Sequence, residues 1–171
     1  MKTAIVIGHD KTKVGAFSPF LNQSEYVYNS EVACYLKSDF DVYKRPIANG
    51  YKTQMQILAN ELNPKKYDLV VELHFNAFNK KAQGVETLSY IGNQTSLAFG
   101  NKYCKIISEN YNITNRGAKF VNLNGNGYWF SKLINAHTLI LEPFFGDEKQ
   151  SEKFKDHKNY ACHLSNFLKS L

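Results

Sequence analysis

The amino-acid sequence predicts a single α/β domain, and three observations support this prediction. Segments with strand character alternate along the chain with segments whose apolar residues recur at helical spacing, which is typical of an α/β layer fold. Two of the strand segments, Asp68–His74 and Thr138–Glu142, are almost wholly apolar, as expected of central strands covered on both faces. The 171 residues contain no repeat or linker and fit one ordinary domain.

The first predicted strand, Thr3–Ile7, opens the chain. Its apolar stretch, Ala4–Ile7, is shorter than the roughly 7–15 residues that the core of a signal peptide needs, so we expect synthesis in the cytoplasm without a signal peptide. The other strands are apolar or alternating segments between the helical patterns, and they are expected at Phe40–Tyr43, Asp68–His74, Gly84–Ile91, Ala118–Asn122 and Thr138–Glu142.

Four helices are predicted from apolar side chains that recur at helical spacing. They are expected at Ser24–Lys37, Tyr51–Leu62, Ser96–Tyr111 and Asp147–Leu171. The second helix should stop at Asn63-Pro64, because proline cannot continue a helix. Lysines lie between the apolar residues of the last helix and indicate that one of its faces meets solvent.

The composition excludes several classes of protein. No run of about 20 apolar residues is present, so stable membrane insertion is not expected. The net charge of +6 favours an anionic partner. Nucleic acid is not expected, because the lysines are scattered and no recognition-helix or RNA-binding signature accompanies them. The cysteines form neither a metal-binding pattern nor a disulfide framework, since they are far apart at Cys34, Cys104 and Cys162.

Polar side chains stand at the ends of three predicted strands. His9 follows the first strand, His74 and Asn76 end the third, and Glu142 ends the last. In open α/β sheets, ligands bind beyond the carboxyl ends of the strands, so these groups are expected to share one site. Catalytic zinc usually takes three protein ligands from His, Asp, Glu and Cys. His9 and His74 are therefore candidate metal ligands, although each alone is also compatible with a structural histidine.

Glu25 is the candidate for the third ligand. It lies in the first turn of the predicted helix that follows a long loop. The alternative is a capping box with Asn22, because the Asn-x-x-Glu spacing and an acidic first turn both suit a helix N-terminus. Glu31 is a competing carboxylate, but six residues place it about 240° around the helix from Glu25, where it is expected to face solvent.

These residues belong to an ordered series of short motifs. The series runs "IVIGHD", "VGAF", a helix pattern E-x-x-x-N-x-x-x-A that starts at Glu25, and then "LHFNA", "GVETLSY" and "LILEPFFGD". With this order over nearly the whole chain, the sequence resembles the zinc-dependent N-acetylmuramoyl-L-alanine amidases (type 3 catalytic domain), which phages and bacteria use to cut peptidoglycan. It departs from the family pattern at Asp10-Lys11, where the family has Gly-Gly, and at Pro143-Phe144, where the family has Gly-Phe.

The resemblance implies a twisted, mostly parallel six-stranded sheet flanked by helices on both faces. It also implies Zn²⁺ as the cofactor, bound by His9, Glu25 and His74, with Glu142 as the catalytic residue. Zn²⁺ lowers the pKa of water from 15.7 to about 7. Glu142 would then take the proton of the attacking water and return it to the leaving amine. A purely structural role for the Glu142 carboxylate is the alternative.

Four further residues are candidates for binding the substrate or supporting the site. Asn76 would hold the substrate or brace His74. Glu72 either accepts a hydrogen bond from the second ring nitrogen of His74 or forms a salt bridge inside the fold. Glu86, in "GVE", would orient the site, and Arg116 lies in "NRGAK", a segment that also looks like the family's.

The expected function is hydrolysis of the amide bond between N-acetylmuramic acid and L-alanine in peptidoglycan. Residues 1–171 would form one catalytic amidase domain, without a separate cell-wall-binding domain. A phage or prophage endolysin fits these expectations, since it is made in the host cytoplasm and acts on the cell wall or periplasm. The oligomeric state is open, with a monomer favoured. Two alternatives also stay open, namely another zinc amidohydrolase or peptidase on a related scaffold and a non-catalytic wall-binding relative.

Overall fold

In the computed structural model, which describes residues 1–171, a six-stranded sheet separates two layers of helices. The strands are β1 (Thr3–Ile7), β2 (Phe17–Ser18), β3 (Gln23–Ser24), β4 (Asp41–Lys44), β5 (Leu69–Leu73), β6 (Val85–Ser89), β7 (Asn115–Phe120) and β8 (His137–Glu142). The helices are α1 (Glu25–Leu36), α2 (Tyr51–Leu62), α3 (Gln94–Tyr111), α4 (Tyr128–Leu133) and α5 (His157–Lys169), with short 3₁₀ helices at Asn63–Lys65 and Lys149–Phe154. Strands β2 and β3 pair with each other outside the main sheet.

The sheet is mostly parallel, as predicted, with one antiparallel pair. Its strand order is β4-β1-β5-β8-β6-β7. Neighbours among β4, β1, β5 and β8 run parallel, whereas β6 runs antiparallel to β8 and carries β7 parallel to itself. The start of β6 therefore lies at the edge where β1, β5 and β8 end, and Glu86 stands opposite Glu142 in the sheet register.

Different helices cover the two faces of the sheet, because alternate side chains of a strand point to opposite faces. Ile5 and Ile7 of β1 pack into a core built with α1, α3 and α5. Ala4 and Val6 point the other way, into a core built with α2 and α4. All residues of β5 and the four inner residues of β8 are buried, which confirms the prediction that these are central strands with helices on both faces; β1 is buried throughout as well.

Helix α4 has no counterpart among the predicted elements. It has only six residues, too few for a 3.6-residue period to stand out. The residue before the helix, Gly127, has a left-handed backbone conformation with φ 81°. The helix nevertheless contributes Tyr128 and Phe130 to the core on the α2 side.

The C-terminal segment is divided, where one continuous helix is predicted from Asp147. The 3₁₀ helix Lys149–Phe154 comes first, and α5 starts anew because the Asp156 side chain caps it by accepting from the Asn159 N–H. Helix α5 packs against α1 and buries one apolar face in the core on that side of the sheet. The residues of this face are Tyr160, Ala161, Leu164, Phe167 and Leu168. No helix of the structure combines the length and the apolar character needed to cross a membrane.

Candidate active site

Three predicted metal ligands meet at the edge of the sheet where β1 and β5 end. His9 follows β1, His74 follows β5, and Glu25 is the first residue of α1. Oε2 of Glu25 lies 3.0 Å from Nε2 of His9, and Oε1 of Glu25 lies 2.7 Å from Nδ1 of His74. One potential ligand atom from each residue falls within 4.8 Å of the others. Residues that are far apart in sequence thus form one cluster of two imidazoles and a carboxylate.

The carboxylate of Glu25 is buried and held from several sides. It accepts the backbone N–H of Ala16 at 3.2 Å and that of Phe75 at 3.1 Å. Burial alone would raise the pKa of Glu25, but hydrogen bonds from His74 and His9 outweigh it and keep this pKa well below the ordinary value. The N-cap of α1 is Ser24, so the alternative of a capping box does not describe this turn. Glu25 is ionised and fixed in direction, as a metal ligand must be.

The loop that carries His9 has a strained backbone supported by Asp10. His9 has φ 64, in the left-handed region that is uncommon for residues other than glycine. Asp10 is buried, and its Oδ1 accepts the backbone N–H groups of Thr12 at 2.7 Å and Lys13 at 3.0 Å, while Oδ2 accepts the side-chain amide of Gln54 at 2.8 Å. Asp10, one of the departures from the family pattern, therefore links this loop to α2.

Glu72 forms the salt bridge that is one of its two predicted roles, with Arg45, and its second oxygen lies beside His74. Oε2 of Glu72 is 3.2 Å from Nε2 of His74, although this contact is not well aligned as a hydrogen bond. Oε1 accepts from Arg45 at 2.6 Å (Nη2) and 3.2 Å (Nε). Burial would lower the pKa of His74, but the charge of Glu72 and its hydrogen bond with Glu25 outweigh burial and raise this pKa to about 10.

Glu142 lies beside the three ligand candidates on the neighbouring strand. The backbone N–H of His74 donates to the carbonyl oxygen of Leu141 at 3.0 Å, which brings the end of β8 next to His74. Oε2 of Glu142 is buried and has no hydrogen-bond partner. Burial is the main cause that raises the pKa of Glu142 to about 8, and repulsion from Glu25 and Glu86 adds to it while His74 opposes it.

Glu86 and Asn76 form a polar layer next to Glu142. Nδ2 of Asn76 donates to Oε1 of Glu86 at 3.0 Å. Oε2 of Glu86 accepts from Nε of Arg116 at 2.5 Å and from Nζ of Lys119 at 2.7 Å. Burial would raise the pKa of Glu86, but these two cations lower it overall. Asn76 is thus oriented by Glu86, which in turn is held by two basic side chains.

Comparison with known proteins identifies the family of the chain. The sequence profile of the N-acetylmuramoyl-L-alanine amidases matches residues 4–166. The chain belongs to this amidase family. It is therefore a hydrolase of that class. No curated protein sequence matches the chain.

Solved structures show the same fold as this amidase. The catalytic domain of the CD27L endolysin, which targets Clostridia difficile, has a TM-score of 0.78 at 24% identity, over 99% of this chain and 97% of that one. Cwp6 from Clostridium difficile gives 0.75 at 23% identity over 98% of this chain, which spans only 29% of Cwp6. The catalytic domain of CwlV from Bacillus (Paenibacillus) polymyxa var. colistinus gives 0.73 at 19% identity, over 99% and 97% of the two chains.

The predicted residues of the amidase gather around one cleft of about 420 Å³. Those that line it are His9, Glu25, Glu72, His74, Asn76 and Glu142. Glu86 and Arg116 are not part of this lining; Glu86 contacts it through its hydrogen bond with Asn76, and Arg116 contacts Glu86. The cleft thus brings together residues that the sequence places on four different elements and loops.

Other residues of the cleft are not among the predicted ones. Arg45 directly follows β4, so the strand-end rule would have identified it if the predicted strand had not stopped at Tyr43. The rest of the lining has no comparable signal in the sequence, because it comes from helix α2, from the middle of strands β6 and β8, and from the loop before α4. It includes Tyr51, Gln54, Leu88, Asn126, Gly127 and Ile140.

The residues of the cluster fit a divalent transition-metal ion. Two imidazole nitrogens and one carboxylate oxygen are a donor set that zinc takes in catalytic sites, where one position stays open for water or substrate. The second ring nitrogen of His74 lies beside the Glu72 carboxylate, as is common for metal-bound histidines. The cluster also opens onto the cleft, so substrate has access to it.

Proposed function

We propose that this amidase is zinc-dependent and hydrolyses the amide bond between the lactyl group of N-acetylmuramic acid and L-alanine in peptidoglycan. The observation that carries the proposal is the convergence of His9, Glu25 and His74 within 4.8 Å beside the unpartnered carboxylate of Glu142. Family membership supports the choice of substrate and argues against the other zinc amidohydrolases as an alternative. The filled ligand set argues against a non-catalytic relative.

His9, Glu25 and His74 would hold the zinc ion. Zinc at these ligands would supply Lewis acidity, which lowers the pKa of water and polarises a carbonyl group. Neighbouring groups of the chain hold the ligand side chains in position. The N–H groups of Ala16 and Phe75 fix the Glu25 carboxylate, and Glu72, 3.2 Å from the second ring nitrogen of His74, would orient that ring.

Glu142 would act as the general base and then as the general acid. Its carboxylate lacks a hydrogen-bond partner, and burial raises its pKa to about 8 in the metal-free site. A cation bound beside it would lower this pKa, so the carboxylate would start ionised, take a proton and give it back near neutral pH. It would remove a proton from the attacking water and deliver one to the nitrogen of the leaving L-alanine. General acid–base catalysis of this kind typically contributes about 10²–10⁴-fold to the rate.

A connected group of polar residues would position the substrate in the cleft, namely Asn76, Glu86 and Arg116. Asn76 lines the cleft and is the member of this group that can reach the substrate, through its side-chain carbonyl oxygen, because its backbone N–H and carbonyl are paired with Phe144 and Gly146. Glu86 fixes the direction of the Asn76 amide, and Arg116 fixes Glu86. Asn76 would therefore bind substrate, while Glu86 and Arg116 would act through it.

The biological setting that we propose is an endolysin of a phage or prophage, acting on the bacterial cell wall. Support comes from the likeness to the CD27L endolysin domain and from the net charge of +6, which favours approach to anionic wall polymers. Residues 1–171 would work as one catalytic domain and as a monomer, since one sheet with its helices contains all the site residues.

Digestion of purified peptidoglycan tests the proposal. The wild-type protein should release new free amino termini of L-alanine, and a chelator or the variant Glu142→Ala should abolish them. Glu109→Ala, a change at an exposed glutamate on α3, is the matched control and should digest normally. New reducing sugars in place of amino termini would show a glycosidase instead. Activity that survives complete metal removal would refute the dependence on zinc.

A further inference from the structure

We propose that Arg45 is a positioning residue that acts through Glu72 on His74 and thereby sets the affinity of the site for its metal ion. The inference rests on the zinc site of the proposed function. Arg45 stands directly after β4, the strand that neighbours β1, and its side chain reaches Glu72 on β5. Neither the substrate nor the ligand cluster needs to touch Arg45 for this role.

Glu72 lies between two groups that can donate hydrogen bonds, the guanidinium of Arg45 and the ring of His74. Arg45 places two nitrogens on one oxygen of Glu72, at 2.6 Å and 3.2 Å. The other oxygen of Glu72 lies 3.2 Å from Nε2 of His74. Nδ1 of His74 points to the ligand cluster, so a metal-bound ring carries its hydrogen on Nε2 and needs an acceptor there.

Burial makes this bridge depend on Arg45. The Glu72 side chain is 0% exposed and the Arg45 side chain 9% exposed. A carboxylate without water needs a cationic partner, and removing that partner leaves a buried charge that must move, take up a proton or disrupt its surroundings. Each of these changes alters the acceptor that faces His74. Arg45 is itself fixed by Tyr51, whose ring centroid lies 5.1 Å from the guanidinium carbon.

Charge repulsion predicts the opposite effect, which makes the inference testable. The Nη2 atom of Arg45 is also 3.4 Å from Nε2 of His74, so its positive charge lies close to the ligand cluster. If repulsion between Arg45 and the metal ion dominated, removal of the charge would tighten zinc binding. If Arg45 acts by holding Glu72, removal weakens zinc binding, as loss of groups that orient metal ligands typically does by about 10–100-fold.

The experiment measures the zinc dissociation constant of the full chain by competition with a chromophoric chelator, without any use of activity. The variants are Arg45→Met, Arg45→Lys, Glu72→Met and the double variant Arg45→Met/Glu72→Met. Lys169→Met is the matched control, because Lys169 also lies 2.6 Å from a carboxylate, that of Asp39, but far away on exposed surface. Circular dichroism checks the fold of each chelator-treated variant.

We expect Arg45→Met to raise the zinc dissociation constant about 10-fold or more. Arg45→Lys should weaken binding less, because lysine keeps the charge but loses the two-pronged contact. In the Glu72→Met background, Arg45→Met should change the constant by no more than about twofold, since the two residues act as one unit. Lys169→Met should bind like the wild type.

Three results would overturn the role of Arg45. These are tighter or unchanged zinc binding by Arg45→Met, an equal loss with and without Glu72, and a matching loss in Lys169→Met. If Arg45→Met does not fold, Arg45→Lys decides, and a dissociation constant within about twofold of the wild type would overturn the inference. A wild-type protein that binds no zinc would instead refute the proposed function.

Discussion

The pH dependence of stability in the metal-free amidase tests the environment assigned to Glu142. Burial, with repulsion from Glu25, Glu86 and Glu72 and opposed by attraction to His74, raises the pKa of Glu142 from 4.5 to about 8. One pKa unit corresponds to about 1.4 kcal/mol, so keeping this carboxyl protonated in the fold costs about 3 kcal/mol near pH 7. Glutamine has nearly the same shape and no charge to lose. The variant Glu142→Gln should therefore be more stable than the wild type near pH 7 by about 3 kcal/mol.

The sign and the pH range follow from the two pKa values. Below 4.5 the Glu142 carboxyl is protonated in both the unfolded and the folded chain, so the wild type and Glu142→Gln should be equally stable. Between 4.5 and about 8 the unfolded chain releases the proton and the folded chain retains it, so the wild type loses stability relative to the variant. Above this range the difference should be constant. His74, with a pKa raised to about 10, stays protonated throughout the range.

The assay is denaturant-induced unfolding of chelator-treated protein at several pH values across this range. Glu109→Gln serves as the control, because the Glu109 side chain is 64% exposed and should show no comparable dependence on pH. A wild-type protein as stable as Glu142→Gln near neutral pH, or a difference that does not change with pH, would refute the reasoning. The activity of Glu142→Gln should fall by about 10²–10⁴-fold, although the variant is expected to be more stable to unfolding than the wild type.

Three further predictions concern the metal, a glycine and an aspartate. Zinc at about 1,000 times its dissociation constant should stabilise chelator-treated protein by about 4 kcal/mol in thermal unfolding, and Glu25→Gln should remove this shift; no shift in the wild type would contradict the metal site. Gly8→Ala should lower both the stability of the fold and the affinity for zinc, because a Cβ at residue 8 would lie 2.6 Å from the ring of His74. Gly125→Ala should have a milder effect, because the nearest atom to a Cβ at residue 125 is 3.2 Å away, and equal effects of the two changes would contradict this reasoning. Asp10→Ala should cost about 1–3 kcal/mol in denaturant unfolding, since it removes the acceptor of the buried Gln54 amide and of the Thr12 N–H, and a loss below about 0.5 kcal/mol would contradict the role of Asp10.

The central sheet could be predicted from the sequence because its strands are short, apolar and separated by clear helical periods. The direction of β6 could not, since strand periodicity is the same for parallel and antiparallel pairs. This matters for Glu86, which reaches the site by standing at the start of β6 rather than at the end of a strand. Helix α4 escaped prediction because six residues are too few to show a period.

The convergence of His9 and His74 could be predicted because they lie just after β1 and β5, and strand ends meet at one edge of a parallel sheet. Glu25 depended on the family motif as well, since an acidic residue in a first helical turn is also a common helix signal. The partner of Glu72 could not be predicted. Arg45 directly follows an edge strand whose end the sequence predicts one residue early, and only the pairing of β4 with β1 shows that it reaches the cleft.

The charges around the cleft separate Glu142 from the other glutamates of the site. Each of the other three has cationic or imidazole partners, in the contacts Glu25–His9/His74, Glu72–Arg45 and Glu86–Arg116/Lys119. Their pKa values are lowered, whereas that of Glu142 is raised. Neighbouring acids whose environments drive their pKa values apart are the pattern from which acid and base roles are assigned. The three paired carboxylates are suited to stay ionised and hold other groups, and Glu142 is suited to exchange a proton during turnover.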